Sequence, residues 1–131
     1  MMNDTSQSPI SVLVVEDNLD ARDIFSATLS NQGYRVLEAG DGVEALVKLE
    51  SEPVDIILTD LRMPRIDGIT LASTIRKLPH LRSMPIIALT ATPLTDKSWM
   101  LGLFDEVLLK PCSIKELVET VGKFSGKAIK P

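Results

Sequence analysis

Cysteine and histidine are nearly absent: the 131 residues include one of each, Cys112 and His80. A single thiol cannot close an internal disulfide, and the two together supply too few soft ligands for a zinc site or a Cys/His nucleophile couple. Any metal must therefore be held by oxygen. His80 lies in the polar stretch "KLPHLRSMP", where a solvated loop histidine is the simple reading. No run of 18 apolar residues occurs, nor a charged n-region followed by an apolar h-region. No membrane association is expected, and the default location is the cytoplasm. A surplus of positive charge is missing too: 14 Lys and Arg face 18 Asp and Glu, a net charge of −4. That balance argues against direct nucleic-acid binding through a broad basic surface.

What the chain does contain is an ordinary globular balance, 44% hydrophobic and 24% charged, at a length that suits one domain with one core. The opening "MMNDTSQSP" is polar and aperiodic, so residues 1–9 are expected to be a frayed tail. The folded domain is expected over residues 10–124, with "SGKAIKP", 125–131, as a loose C-terminal tail.

Between these ends the hydrophobic period keeps changing. "ISVLVVED" is a β-branched run that suits a strand buried on both faces. Ala21, Ile24, Phe25, Thr28 and Leu29 then recur at helical spacing, with Gly33 placed as a C-terminal cap. The strand "YRVLEA" precedes a helix with Asp41 and Glu44 at capping-box spacing and an inner face of Val43, Leu46 and Leu49. "VDIILTD" is the third strand. After the "RMPRIDG" loop, Leu71, Ala72, Ile75 and Leu78 mark a third helix, followed by the strand "MPIIALTA". A less regular helix around "LTDKSWMLGL" leads to the strand "DEVLLK". Ser113 and Glu116 cap a last helix faced by Ile114, Leu117, Val118 and Val121. Five strands alternating with five helices imply an α/β fold, a doubly wound five-stranded parallel sheet with helices on both faces, because parallel neighbours need right-handed crossovers. In such sheets the site lies beyond the carboxyl ends of the strands.

Those ends carry Glu16 and Asp17, Asp60, Thr90 and Lys110. Alone, a strand-end acid is usually a solvated acid and a strand-end threonine reflects β-propensity. Together they narrow the chemistry. Three converging carboxylates repel one another, and a divalent cation with oxygen ligands relieves that repulsion. Mg²⁺ fits best, with Mn²⁺ as a substitute, since Mg²⁺ takes a few carboxylates, keeps waters and leaves room for a phosphate. A carboxylate oxygen of Asp60 could then attack phosphorus, while the cation, the Lys110 ammonium and the Thr90 hydroxyl offset charge on the phosphoryl oxygens.

"VLVVEDN", "IILTDLRMPRIDG", "IIALTA" and "LLKP", in this order and at these intervals, resemble a response-regulator receiver domain of two-component signalling over roughly residues 10 to 124. The resemblance implies a flavodoxin-like fold with strand order 2-1-3-4-5. It implies that Asp60 accepts a phosphoryl group from a phosphohistidine on a histidine kinase or phosphotransfer protein. The protein would thus be a regulatory phosphoacceptor that assists its own phosphorylation and dephosphorylation, not an enzyme in the ordinary sense. Asp17 is implied as a direct metal ligand, Glu16 as one acting through water, and the Arg62 backbone carbonyl as completing the set with Asp60. Lys110 would pair with the acyl phosphate, and Thr90 would swing toward it. Pro111 matches a position where the family has a cis peptide bond.

The chain departs from the family pattern in places. The aromatic residue expected three before the lysine is Val107, so a relay by a rotating ring is in doubt; Phe104 and Trp99 nearby simply pack in the plain reading. The segment from Thr90 to Lys110 looks a residue or two short, which abbreviates its helix. Cys112 stands where Phe is frequent, as a buried, inert thiol. Arg62 and Thr92, the positions that modulate hydrolysis by resemblance, offer no acid or amide to orient water, so a long-lived acyl phosphate is expected.

Three other functions compete. An aspartyl-phosphate hydrolase needs a second Asp two residues after the nucleophile, where Arg62 stands. A flavin module needs a phosphate-cradling loop, and "EDNLDAR" is acidic. A receiver-like interaction module that works without phosphorylation is the serious rival, left open by Val107. The expected partners are the phosphodonor and a downstream protein target or fused output domain. A homodimer is an open alternative.

Overall fold

The computed structural model describes residues 9–63, 65–91 and 102–129. These residues form five strands: β1 (Ser11–Val15), β2 (Arg35–Ala39), β3 (Ile56–Asp60), β4 (Ile86–Thr90) and β5 (Glu106–Leu109). Four helices are found among the described residues: α1 (Leu19–Asn31), α2 (Gly42–Ser51), α3 (Gly68–Lys77) and α4 (Ile114–Ile129). The strands pair in parallel in the order β2-β1-β3-β4-β5. That is the expected doubly wound sheet, and β1 and β3, which carry the acids, are neighbours. The helix expected around residues 94–103 falls almost wholly on positions outside the described residues.

The near-continuous apolar runs follow from coverage on both faces. Every residue of β1, β3 and β4 is buried. Alternate side chains then feed two cores. Val12, Val14, Ile56, Leu58, Ile87 and Leu89 pack with Leu29, Leu117, Val121 and Phe124, whereas Leu13, Val15, Ile57 and Ile86 pack with Ala45, Leu49, Leu71, Ala72 and Ile75. Full burial of each Ile or Leu stabilises by about 1.5–3 kcal/mol relative to exposure, so these strands fix their own ends firmly.

Helix starts are set by side-chain caps: Asn18, Asp41 and Asp67 accept from Ala21, Glu44 and Thr70 N–H at 2.8, 2.9 and 2.8 Å, and Ser113 accepts from Glu116 N–H at 3.0 Å. Gly33 follows α1 with φ of +93°, the left-handed conformation of a C-terminal cap.

Four local expectations need correction. Ile24 and Ile114 are exposed at 58% and 63%, and Val43 is at the exposed margin. Helical spacing marks a broad apolar stripe, but only its centre meets the sheet; in α2 that centre is Ala45 and Leu49. The stretch expected to be loose from residue 125 instead continues α4 to Ile129. Ser125 is buried, with its Oγ 2.9 Å from Tyr34 Oη. Opposite the site, Arg76 of α3 donates to the carbonyls of Arg82, Met84, Gly102 and Leu103 and pairs with Asp105 at 3.1 Å. This guanidinium ties the approach to β5 onto α3.

Candidate functional site

Because β1 and β3 run side by side in register, with Val15 opposite Thr59, their carboxyl ends deliver Glu16, Asp17 and Asp60 to one place. One carboxylate oxygen from each lies within 4.8 Å of the others. Glu16 is 1% exposed and Asp60 8%, whereas Asp17 is open to solvent. Lys110 follows β5, two strands away from β3, and its four-carbon stem spans the gap. Its Nζ donates to Glu16 Oε1 at 2.9 Å and to Asp60 Oδ2 at 3.3 Å.

The electrostatics are unbalanced. Burial pushes the Glu16 carboxyl above the usual carboxylate range, and the nearby Asp60 charge adds to this; the Lys110 bond and the Asn18 N–H, which donates to Oε2 at 3.1 Å, pull it back only in part. For Lys110 burial pulls the other way, but Glu16 and Asp60 together outweigh it and raise the ammonium above its ordinary value. The Lys110 ammonium thus meets two carboxylates of a cluster of three, which offers oxygen donors alone and an exposed face on Asp17. That donor set fits a hard divalent cation.

The profile of the response regulator receiver domain family matches residues 12–122. The chain belongs to the response regulator receiver domain family. Receivers are the signalling domains of two-component systems. The sensor histidine kinase RcsC of Salmonella typhi is 31% identical over 127 residues, which cover 95% of this chain but 13% of that kinase. The response regulator DivK of Brucella anthropi is 29% identical, over 92% of this chain and 99% of its own. Among solved structures, the chemotaxis protein CheY4 of Vibrio cholerae superposes with a TM-score of 0.85 at 29% identity, covering 89% of this chain and 99% of CheY4. The receiver domain of a Pseudomonas aeruginosa sensor histidine kinase, solved with a magnesium ion in its active site cleft, gives 0.82 at 33% identity, covering 91% and 99%. No helix among the described residues is long and apolar enough to cross a membrane.

The other expected positions of this receiver are less closely gathered. Thr90 is buried at the end of β4, one residue beyond Leu89, the register partner of Asp60 on β3, and opposite Leu109 on β5. Arg62 is exposed, and its N–H points at Asp60 Oδ1 at a long 3.4 Å. Val107 is half-buried on β5 opposite Ala88, and Phe104 packs against the core formed with α2 and α3. Thr92 and Trp99 lie outside the described residues. The Lys110–Pro111 bond is cis. Cys112 is half-buried against the core, and burial, with the Glu116 carboxylate second, pushes its thiol up into the protonated form.

Several contributors escaped sequence reasoning. Gly68 lies so close to β3 that a Cβ there would overlap the Asp60 carbonyl and sit 2.9 Å from Leu61 Cα. Only glycine lets α3 start against the acidic strand. Arg65 has φ of +66° and pairs with Asp41, tying the loop after Asp60 to the cap of α2. Arg22 donates to the Glu16 carbonyl at 2.8 Å. The "DG" after the proline turn was the available signal for Gly68. Nothing in the spacing identifies Arg22 or Arg65.

Proposed function

We propose that this receiver is a phosphorylation-dependent switch in which Asp60 accepts a phosphoryl group from a phosphohistidine of a histidine kinase or phosphotransfer protein. The observation that carries this reading is the Lys110 ammonium bonded at once to Glu16 and Asp60 within a cluster of three carboxylates. An Asp60 oxygen attacks phosphorus, the P–N bond breaks, and its electron pair leaves with the imidazole nitrogen; the product is an acyl phosphate on Asp60. Lys110, already on Asp60, turns its donors to a phosphoryl oxygen. Thr90 supplies a hydroxyl from the adjoining strand end. Glu16, Asp17, Asp60 and the Arg62 carbonyl would hold Mg²⁺, or Mn²⁺ in its place, which when bound neutralises charge on the transferring group. Residues 10–124 act as the switching unit, in the cytoplasm, and the changed surface is read by a downstream protein or an attached output domain.

The test is the mass of the intact chain after incubation with Mg²⁺ and acetyl phosphate. A gain of one phosphoryl group that disappears in Asp60→Asn is expected. No gain under any divalent cation supports the rival reading, a receiver-like interaction module independent of phosphorylation, which Val107 in place of an aromatic favours. With no side chain at Arg62 or Thr92 able to orient water, the group should persist well beyond seconds; its loss within seconds in Mg²⁺ overturns that point.

A further inference from the structure

The acidic pair is held from behind by a residue of α1. Arg22 is the fourth residue of that helix, and its Nη1 donates at 2.8 Å to the carbonyl oxygen of Glu16, in the peptide that joins Glu16 to Asp17. The Nε of the same guanidinium is buried with no hydrogen-bond partner among the described residues. A buried donor left unpaired is costly, so the side chain keeps this position against a penalty. Space for it comes from the β2–α2 turn. A Cβ at Gly40 would lie 3.2 Å from Arg22 Nη1, closer than side chains normally approach. On the other side, the same stretch of chain is held by Asn18 N–H on Glu16 Oε2 and by Glu16 N–H on the Ala39 carbonyl at 3.0 Å.

We infer that Arg22 is a positioning residue for the acidic pocket: its bond to the Glu16 carbonyl fixes the plane of the Glu16–Asp17 peptide and so aims the two carboxylates at the space beside Asp60. The inference rests on the reading that this pocket takes Mg²⁺. Partners one layer behind metal ligands typically change affinity by about 10–100-fold when removed, because they set ligand orientation. A mere strut between α1 and β1 would change stability and leave metal affinity alone.

The experiment compares the full chain with Arg22→Met, which keeps the apolar stem, and Arg22→Lys, which restores one donor. Mg²⁺ is titrated by calorimetry, and the Asn18 amide proton is followed by NMR in EDTA. Arg22→Met should raise the Mg²⁺ dissociation constant about tenfold or more and shift the Asn18 amide, and Arg22→Lys should recover most of both. Unchanged Mg²⁺ affinity in Arg22→Met, with only a lower melting temperature, overturns the proposal. Should Arg22→Met fail to fold, Arg22→Gln, whose shorter side chain stops short of the Glu16 carbonyl, takes its place: weaker Mg²⁺ binding is expected, and unchanged affinity is equally contrary. Absence of Mg²⁺ binding in the unsubstituted chain would instead defeat the reading of the pocket, and the inference with it.

Discussion

The carboxyl ends of β1, β3 and β5 differ in kind from the face that β4 and β5 present beside them. The first region is dense in charge, with Glu16 and Asp60 almost fully buried and one lysine bonded to both. The second is aliphatic: Ala88 stands opposite Val107, and a half-buried Phe104 packs below. Both are parts of one sheet, yet they need different things. Accepting a phosphoryl group requires charge placed to within fractions of an ångström, which rigid strand ends supply. Reporting that event requires an element with two arrangements, which a half-buried valine in a strand does not readily supply. Under the proposed function the two capacities are separable, and substitutions should divide them.

The largest effect is expected at Asp60. Asp60→Asn keeps the shape of the side chain and removes the nucleophile, so phosphoryl uptake by intact mass should fall below detection while the fold persists. Next comes Lys110→Ala, which removes the ammonium bonded to Glu16 and Asp60. Loss of a preorganised charge of this type costs about 10²–10³ in rate, and a stopped-flow time course of uptake should show a loss of that order. Third, Thr90→Ala and Val107→Tyr touch the reporting face. Uptake should stay close to that of the unsubstituted chain in Val107→Tyr and slow in Thr90→Ala, which loses one donor to the phosphoryl group but keeps Asp60 and Lys110, whereas the amide spectrum should differ between free and phosphorylated forms less in Thr90→Ala and more in Val107→Tyr. A fall in uptake in Val107→Tyr as large as that in Thr90→Ala would show that the two regions act as one.

The smallest effect is in the pH dependence of stability without metal. The folded Glu16 carboxyl titrates above its ordinary 4.5, chiefly because it is buried. The folded chain thus takes up this proton at a pH where the unfolded chain has not. Glu16 therefore makes the fold more stable as pH falls through its raised value, and the gain levels off below 4.5. Thermal melts in EDTA should show this rise on acidification, and Glu16→Gln should remove it. Asp41 runs the other way. Its carboxyl is lowered by the Glu44 N–H first and by Arg65 second, so the support it gives to α2 is present above 3.8 and is lost as pH falls through the lowered value.

Much of this was legible in the sequence, for a physical reason. Strands buried on both faces read as unbroken apolar runs, so "VLVVED" and "IILTD" mark both their own extent and the acids where they stop. Asp41 and Ser113 are caps that can be recognised locally. What depends on a third element was not legible. Ile24 and Ile114 sit at helical spacing, but they lie outside the buried stripe of their helices. The stretch from Ser125 reads as polar tail until Tyr34 is seen beside it. Arg22 looks like any helix-surface arginine until the Glu16 carbonyl appears at its tip. Distances across the fold decide these cases, and no local pattern carries them.

The most direct measurement is to locate the phosphoryl group after treatment with acetyl phosphate and Mg²⁺. Borohydride reduces an aspartyl phosphate to homoserine, and tandem mass spectrometry of the resulting peptides reads the position. Homoserine at residue 60, absent when Mg²⁺ is withheld, is the expected result. Homoserine at residue 17 or elsewhere, or none at all in a chain that binds Mg²⁺, would contradict the assignment of Asp60 as the acceptor.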